Sequence, residues 1–172
     1  MLLISCSPVL HRDVMDQGLR EGSLSQVREN PDRYKGKLFI LGGVIVETRF
    51  TPEGSRIEAL FVPVDSYGYL KDVAYAGGRF IAFYPKAKGL LDPLIYKKGR
   101  EITLAGEFTE LKAGKIDEME YSYPVFEIRE VYLWEEQKNY YYSPYYPYYY
   151  SHPFMYDPWG RPYPNPYWPP PY

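Results

Sequence analysis

Residues 37–50 read KLFILGGVIVETRF, and this run decides the fold. Leu38, Phe39, Ile40, Leu41, Val44, Ile45 and Val46 form a dense β-branched and aromatic series flanked by turn residues, which is the signature of a strand. Gly42-Gly43 sits inside the run and predicts a bulge or a sharp bend. Downstream, Thr51-Pro52-Glu53-Gly54 is a turn. A second strand follows over residues 56–64, with Ile57, Ala59 or Leu60, and Val62 as core candidates. Asp65-Ser66-Tyr67-Gly68 is another turn, and a third strand runs over 79–84 after Gly77-Gly78. Residues 91–96 read as one helical turn, with Asp92 capping and Pro93 at its first position. A fourth strand spans 101–111, with Ile102, Leu104 and Phe108 facing in. A fifth spans 123–134 through Val125, Ile128, Val131 and Leu133. Upstream, Ser23 can cap a short helix over 24–29, with Gln26 completing a capping box. Asn30-Pro31 stops it, and residues 32–36 turn into the first strand.

Five strands, the first long and kinked, fit a mainly all-β chain closed into a small OB-like Greek-key barrel. Closure removes the exposed edges that an open sheet would carry. An open antiparallel sandwich is the alternative. Hydrophobic residues make up 45% of the 172-residue chain, enough for one core. The formal net charge of -2 argues against an electrostatic nucleic-acid binder.

The chain divides into three parts. Residues 1–22 hold an apolar stub, Cys6 and a polar stretch read as a tether. Residues 23–136 have ordinary globular composition. Residues 137–172 are nearly all Tyr, Pro, Trp and Ser, including Tyr140-Tyr141-Tyr142 and Tyr148-Tyr149-Tyr150. Prolines every few residues remove backbone donors and fix φ, so this part reads as a disordered, low-complexity tail of polyproline II character. Its rings invite stacking on envelope glycans or docking on a partner protein, or plain self-association.

Leu3-Ile4-Ser5-Cys6 has the form of a bacterial lipobox. A branched apolar residue three places before the cysteine and a small residue just before it suit the signal peptidase. The Cys6 thiol then accepts diacylglycerol, and its freed amine can be acylated with a chain such as palmitate. Several acyl chains anchor far better than one, at about 0.8 kcal/mol per buried methylene. Cys6 is the only cysteine, so an internal disulfide is not its purpose. Only five residues precede it, and an export signal is expected to be longer.

The search for catalysis finds no set of residues. Of the two histidines, His11 lies in the tether and His152 in the tail, away from any acid-base partner. No zinc pattern, phosphate loop or other cofactor motif is present. Asp117, Glu118 and Glu120 read as solvated charges of a hairpin loop beside Gly114. Binding is the more serious alternative: Tyr67, Tyr69, Tyr75, Tyr84 and Tyr96 are candidates for a stacking face on the barrel, and their other reading is as core and rim aromatics. No stretch is long and apolar enough for a spanning helix.

The chain resembles the Slp family of starvation-inducible outer-membrane lipoproteins. The likeness runs in order through Cys6-Ser7-Pro8, Asn30 to Lys37, Gly42-Gly43-Val44-Ile45 with Glu47-Thr48-Arg49, and Gly77-Gly78-Arg79-Phe80. It continues through Leu91-Asp92-Pro93 to Tyr96, Gly99-Arg100, and Tyr123-Pro124-Val125 to Leu133-Trp134. The resemblance implies an envelope lipoprotein, usually of the outer membrane, induced under stress and of poorly defined biochemical role; with the absence of a catalytic set, the expectation is a lipid-anchored, periplasm-facing barrel that does no catalysis. The expected partner is the membrane, through Cys6. The alternative function is an OB-like module binding an envelope glycan or peptide.

Overall fold

The computed structural model describes residues 8–20, 24–136, 154–156 and 159–164. Two compact units are present, Met1–Glu136 and Gln137–Tyr172. The first is the predicted five-stranded closed barrel, in the order β1-β2-β3-β5-β4 and back to β1. The strands are β1 (Leu38–Thr51), β2 (Gly54–Val62), β3 (Arg79–Pro85), β4 (Glu101–Ile116) and β5 (Met119–Leu133).

The length of β1 closes the barrel. Its first half pairs antiparallel with β4, from Leu38 opposite Glu107 to Val44 opposite Glu101. Its second half pairs with β2, from Gly42 opposite Val62 to Thr51 opposite Gly54. The other closure is parallel and short, joining Ile81, Ala82 and Phe83 to Val125, Phe126 and Glu127. The register shift in β1 falls between Ile45 and Glu47 and not at the glycine pair, where the sequence led us to expect it. Gly42 and Gly43 lie where β1 is flanked on both sides. A Cβ on Gly42 would stand 2.5 Å from the Val62 carbonyl oxygen, and one on Gly43 3.0 Å from that of Leu60. Close backbone approach is what those glycines provide.

Four phenylalanines fill the barrel. Phe126 touches Phe39, Phe80 and Phe108 at ring-centroid distances of 5.4, 5.9 and 5.6 Å, edge-on or tilted. Such contacts add about 0.5–1.5 kcal/mol each beyond the area they bury. Ile57, Ala59 and Val62 are buried as expected and Phe61 joins them, whereas Leu60 is half-buried. The charged stretch around Asp117 is a two-residue turn, Asp117-Glu118, with Asp117 at φ 52°. The β4–β5 ladder therefore continues to Ile116 opposite Met119, beyond the residues that β1 and β3 pair. Lys112, Gly114 and Lys115 read as loop residues, yet cross-strand hydrogen bonds hold them in a ribbon.

Among the described residues, three short helices precede the barrel: α1 (Arg12–Gln17), α2 (Leu24–Glu29) and α3 (Pro31–Tyr34). The expected helix is α2. Asn30-Pro31 ends it, but Pro31 then opens α3, where a plain turn was expected; its missing N–H costs nothing at a first helical position. Ser23, the expected cap, lies outside the described residues. The Leu91–Tyr96 segment is a capped turn. Asp92 accepts from the Leu94 N–H through its carboxylate (2.8 Å) and from the Ile95 and Tyr96 N–H groups through its carbonyl.

The second unit contains two three-residue antiparallel strands, β6 (Phe154–Tyr156) and β7 (Pro162–Pro164). In a two-stranded pair every strand is an edge, where proline is tolerated. Cys6 and most of the Tyr/Pro-rich sequence lie outside the described residues.

Candidate functional site

The tyrosines singled out from the sequence do not gather on one face. Tyr84 lies opposite Ser55, and Tyr67 follows shortly after Val62. Those two β2 positions are seven residues apart, or ~23 Å along the strand. Tyr84 and Tyr96 are half-buried against the main core. The Tyr84 hydroxyl donates to the Lys88 carbonyl at 3.2 Å. The Tyr96 phenol is held above its ordinary pKa, first by burial and then by Tyr84, with Arg100 opposing. Tyr75 is exposed on the short 3-10 segment Val73–Tyr75.

Tyr67 and Tyr69 are different. They flank Gly68, whose φ of 90° is a conformation glycine adopts freely. Asp65 Oδ1 accepts from the N–H groups of both tyrosines at 2.8 and 3.0 Å. The loop thus spends its carboxylate on its own backbone, and the two rings are left 45% and 48% exposed. The Tyr69 ring lies 5.3 Å from that of Trp134, which lies 4.9 Å from that of Tyr132. Trp134 Nε1 donates to Thr103 Oγ1 (3.1 Å), and the buried Thr103 hydroxyl donates to the Gly68 carbonyl (2.8 Å). Trp134 and Tyr132 share this face because of a register shift in β5, where Glu130 pairs with Ala105 and Ile128 with Gly106. Phe126 and Ile128 face the core before the shift, and Val131 and Leu133 pack toward it afterwards. Glu130, Tyr132 and Trp134 are left for the opposite side. Tyr132 and Trp134 were not singled out from the sequence: Ile128, Val131 and Leu133 already change phase along the strand, but only the fold brings those two rings beside the Tyr69 loop.

The same loop receives the N-terminal segment. Residues 8–20, read from the sequence as a tether, are folded onto the barrel wall. Leu10 and Met15 are 3% and 2% exposed and make a second core with Leu38, Ile40, Val64 and Ala105. The Val9 N–H donates to the Tyr67 carbonyl at 2.9 Å. His11 is not loose either: its Nδ1 lies 2.8 Å from Glu130 Oε1. Leu19 bridges to β1 by donating to the Leu38 carbonyl and accepting from Ile40, both at 2.9 Å. The Arg20 guanidinium donates to the carbonyls of Met15 and Ser66. Cys6 lies outside the described residues, but two residues from Pro8 it is tied within ~7 Å by chain length alone.

A polar cluster lies under the β4–β5 ribbon. Arg79 Nη1 donates to Glu58 Oε1 at 2.8 Å, and the Tyr123 hydroxyl lies 3.2 Å from the same oxygen and 3.0 Å from the Lys115 carbonyl. The bond to Glu58 is the main cause holding the Arg79 guanidinium above its ordinary pKa, against its burial. The Tyr121 hydroxyl accepts from the Arg79 N–H (2.8 Å) and donates to its carbonyl (3.2 Å), while the Arg28 guanidinium sits over the Tyr121 ring. With Glu58 committed to Arg79 and Tyr123, the cluster is a clamp holding the ribbon to β2 and β3. Among the described residues, no group of three His, Cys, Asp or Glu side chains is placed to hold a metal ion.

A profile of the Outer membrane lipoprotein Slp family matches residues 3–169. An uncharacterized protein of Haemophilus influenzae is 33% identical over 101 residues, which are 58% of this chain and 53% of that protein. The chain thus spans about half the length of that relative. Among solved structures, the Saccharomyces cerevisiae mitochondrial single-stranded DNA binding protein Rim1 is similar at a TM-score of 0.33 and 7% identity, over 59% of this chain and 97% of that one. Schizosaccharomyces pombe Pot1pC, bound to single-stranded DNA, is similar at 0.32 and 9%, over 61% and 84%.

Proposed function

The chain belongs to the outer membrane lipoprotein Slp family, and from that premise we propose that Cys6 is its lipidated residue and that the barrel serves the periplasmic side of the outer membrane without catalysis. One observation carries the reading: the family match spans residues 3–169 and so takes in Leu3-Ile4-Ser5-Cys6, a motif of lipobox form that ends on the only cysteine of the chain. Acylation at that thiol supplies the attachment, at about 0.8 kcal/mol per buried methylene. The role is structural and tied to stress. Two features support a barrel that does no chemistry: its interior is packed with phenylalanine, and the polar cluster around Glu58 is closed on itself.

The test uses protein expressed from its own locus in cells fed labelled palmitate. The wild-type chain is expected to carry the label and to fractionate with the outer membrane. Cys6→Ala is expected to lose both. A Cys6→Ala protein that still carries label, or still sediments with the outer membrane, rejects the reading.

A further inference from the structure

We propose that Tyr67, Tyr69, Tyr132 and Trp134 form a surface that rests in the headgroup layer of the bilayer beside the protein's own anchor. The inference builds on acylation of Cys6 and adds an orientation: the barrel lies against the lipid on this side and does not swing on a tether.

Only Ser7 separates Cys6 from Pro8, and Val9 is hydrogen-bonded to the carbonyl of Tyr67. With ~3.3–3.6 Å of reach per residue, Pro8 stands within ~7 Å of Cys6. The polar layer on each side of a bilayer is itself only about 5–8 Å thick. An acylated Cys6 therefore brings the Tyr67 loop to the lipid surface, and the docked segment from Leu10 to Arg20 leaves no slack to retreat.

Tyr and Trp have apolar bodies and polar tips, and they concentrate where hydrocarbon meets water. Tyr67, Tyr69 and Tyr132 are each at least 40% exposed on this side. The polar groups beneath them are already paired: Asp65 to two backbone N–H groups, and the indole N–H to Thr103. The charged groups beside the rings are also engaged: Arg20 donates to the Ser66 carbonyl, and Glu130 is paired with His11. A glycan or protein on the same rings would compete with the bilayer for the space that the anchor imposes.

Because Cys6 is the sole cysteine, the full chain can be coupled through its thiol to a maleimide-headgroup lipid. Vesicles are made of phosphatidylethanolamine and phosphatidylglycerol, and Trp159→Phe with Trp168→Phe leaves Trp134 as the only indole. Lipids brominated just below the headgroup are expected to quench Trp134, equally at low and high salt. The double variant Tyr67→Ser/Tyr69→Ser, with unchanged circular dichroism, is expected to lose that quenching; Tyr132→Ser serves if the double variant does not fold. Absence of quenching in the coupled wild-type chain overturns the proposal. So does quenching unaffected by the tyrosine changes. Soluble peptidoglycan fragments that shift Trp134 emission where brominated lipid does not would reassign the rings to a glycan. Chemical coupling replaces the cell's acylation, so a failure here is read separately from a failure of palmitate labelling.

Discussion

At the residue scale, the sequence advertises its glycines without saying what each is for. Gly42 reads as a bend, but its role is to let β2 approach, since a Cβ there would collide with the Val62 carbonyl and lie 2.8 Å from Val64 Cγ1. Gly42→Ala is expected to destabilise the barrel by about 1–3 kcal/mol, as overpacking does, measured as a lower urea midpoint with unchanged slope. Gly78, at φ 84°, makes room for the Tyr121 hydroxyl, a partner 43 residues away in sequence that no local pattern reveals. Tyr123 gives a pH-dependent prediction. Burial chiefly, then the charge of and hydrogen bond to Glu58, hold its phenol above the ordinary value, against Arg79. The folded state therefore favours the protonated form. The stability this confers is complete below the unfolded value, about pH 10, and is lost as pH rises through the folded value. Tyr123→Phe is expected to lose about 1 kcal/mol at neutral pH with its hydroxyl bonds. It is also expected to show a shallower fall in urea midpoint above about pH 10.

At the element scale, the strands were legible because β-branched and aromatic runs stand between turn residues, and α2 because of its apolar pair Leu24 and Val27. The N-terminal segment was not. Its apolar residues, Val9, Leu10, Val14 and Met15, are embedded in charge and look like a tether. A faint signal was present, since Leu10 and Val14 are spaced as one helical face. What fixes the segment is long-range, namely the Leu38, Ile40 and Ala105 side chains on the outside of the barrel. Met15→Ala is expected to cost about 2–5 kcal/mol if the segment undocks together with barrel unfolding, the range for a buried methionine. Its signature beyond lost stability is protease cleavage within α1 while the barrel remains folded. The ribbon beyond residue 111 was hidden for a similar reason: its polar, glycine-containing sequence has weak strand preference, and the opposite strand supplies what is missing.

At the scale of the whole molecule, the barrel was readable from the spacing of its strands, whereas the proposed anchor rests on a four-residue motif. The meeting of Tyr69 and Trp134 required the fold, because it rests on their ring contact and on the Thr103 bridge, and no local pattern shows either. The two closures of the barrel differ in strength. Seven residue pairs join β1 to β4, but three join β3 to β5. Amides that bridge β3 and β5 are expected to exchange with deuterated solvent faster than those bridging β1 and β4, as local opening follows the shorter ladder. The order of the strands also matters while the chain is being made. β5 is synthesised last among the barrel strands, yet it stands between β3 and β4. Until Leu133 has left the ribosome, both of those strands lack a neighbour and no closed barrel exists. Ends far apart in sequence then still have to meet, a slow step for such topologies. A nascent chain halted before β5 is expected to remain fully sensitive to protease. The topology itself thus keeps the newborn polypeptide pliable during the interval in which the proposed export would thread it through a channel.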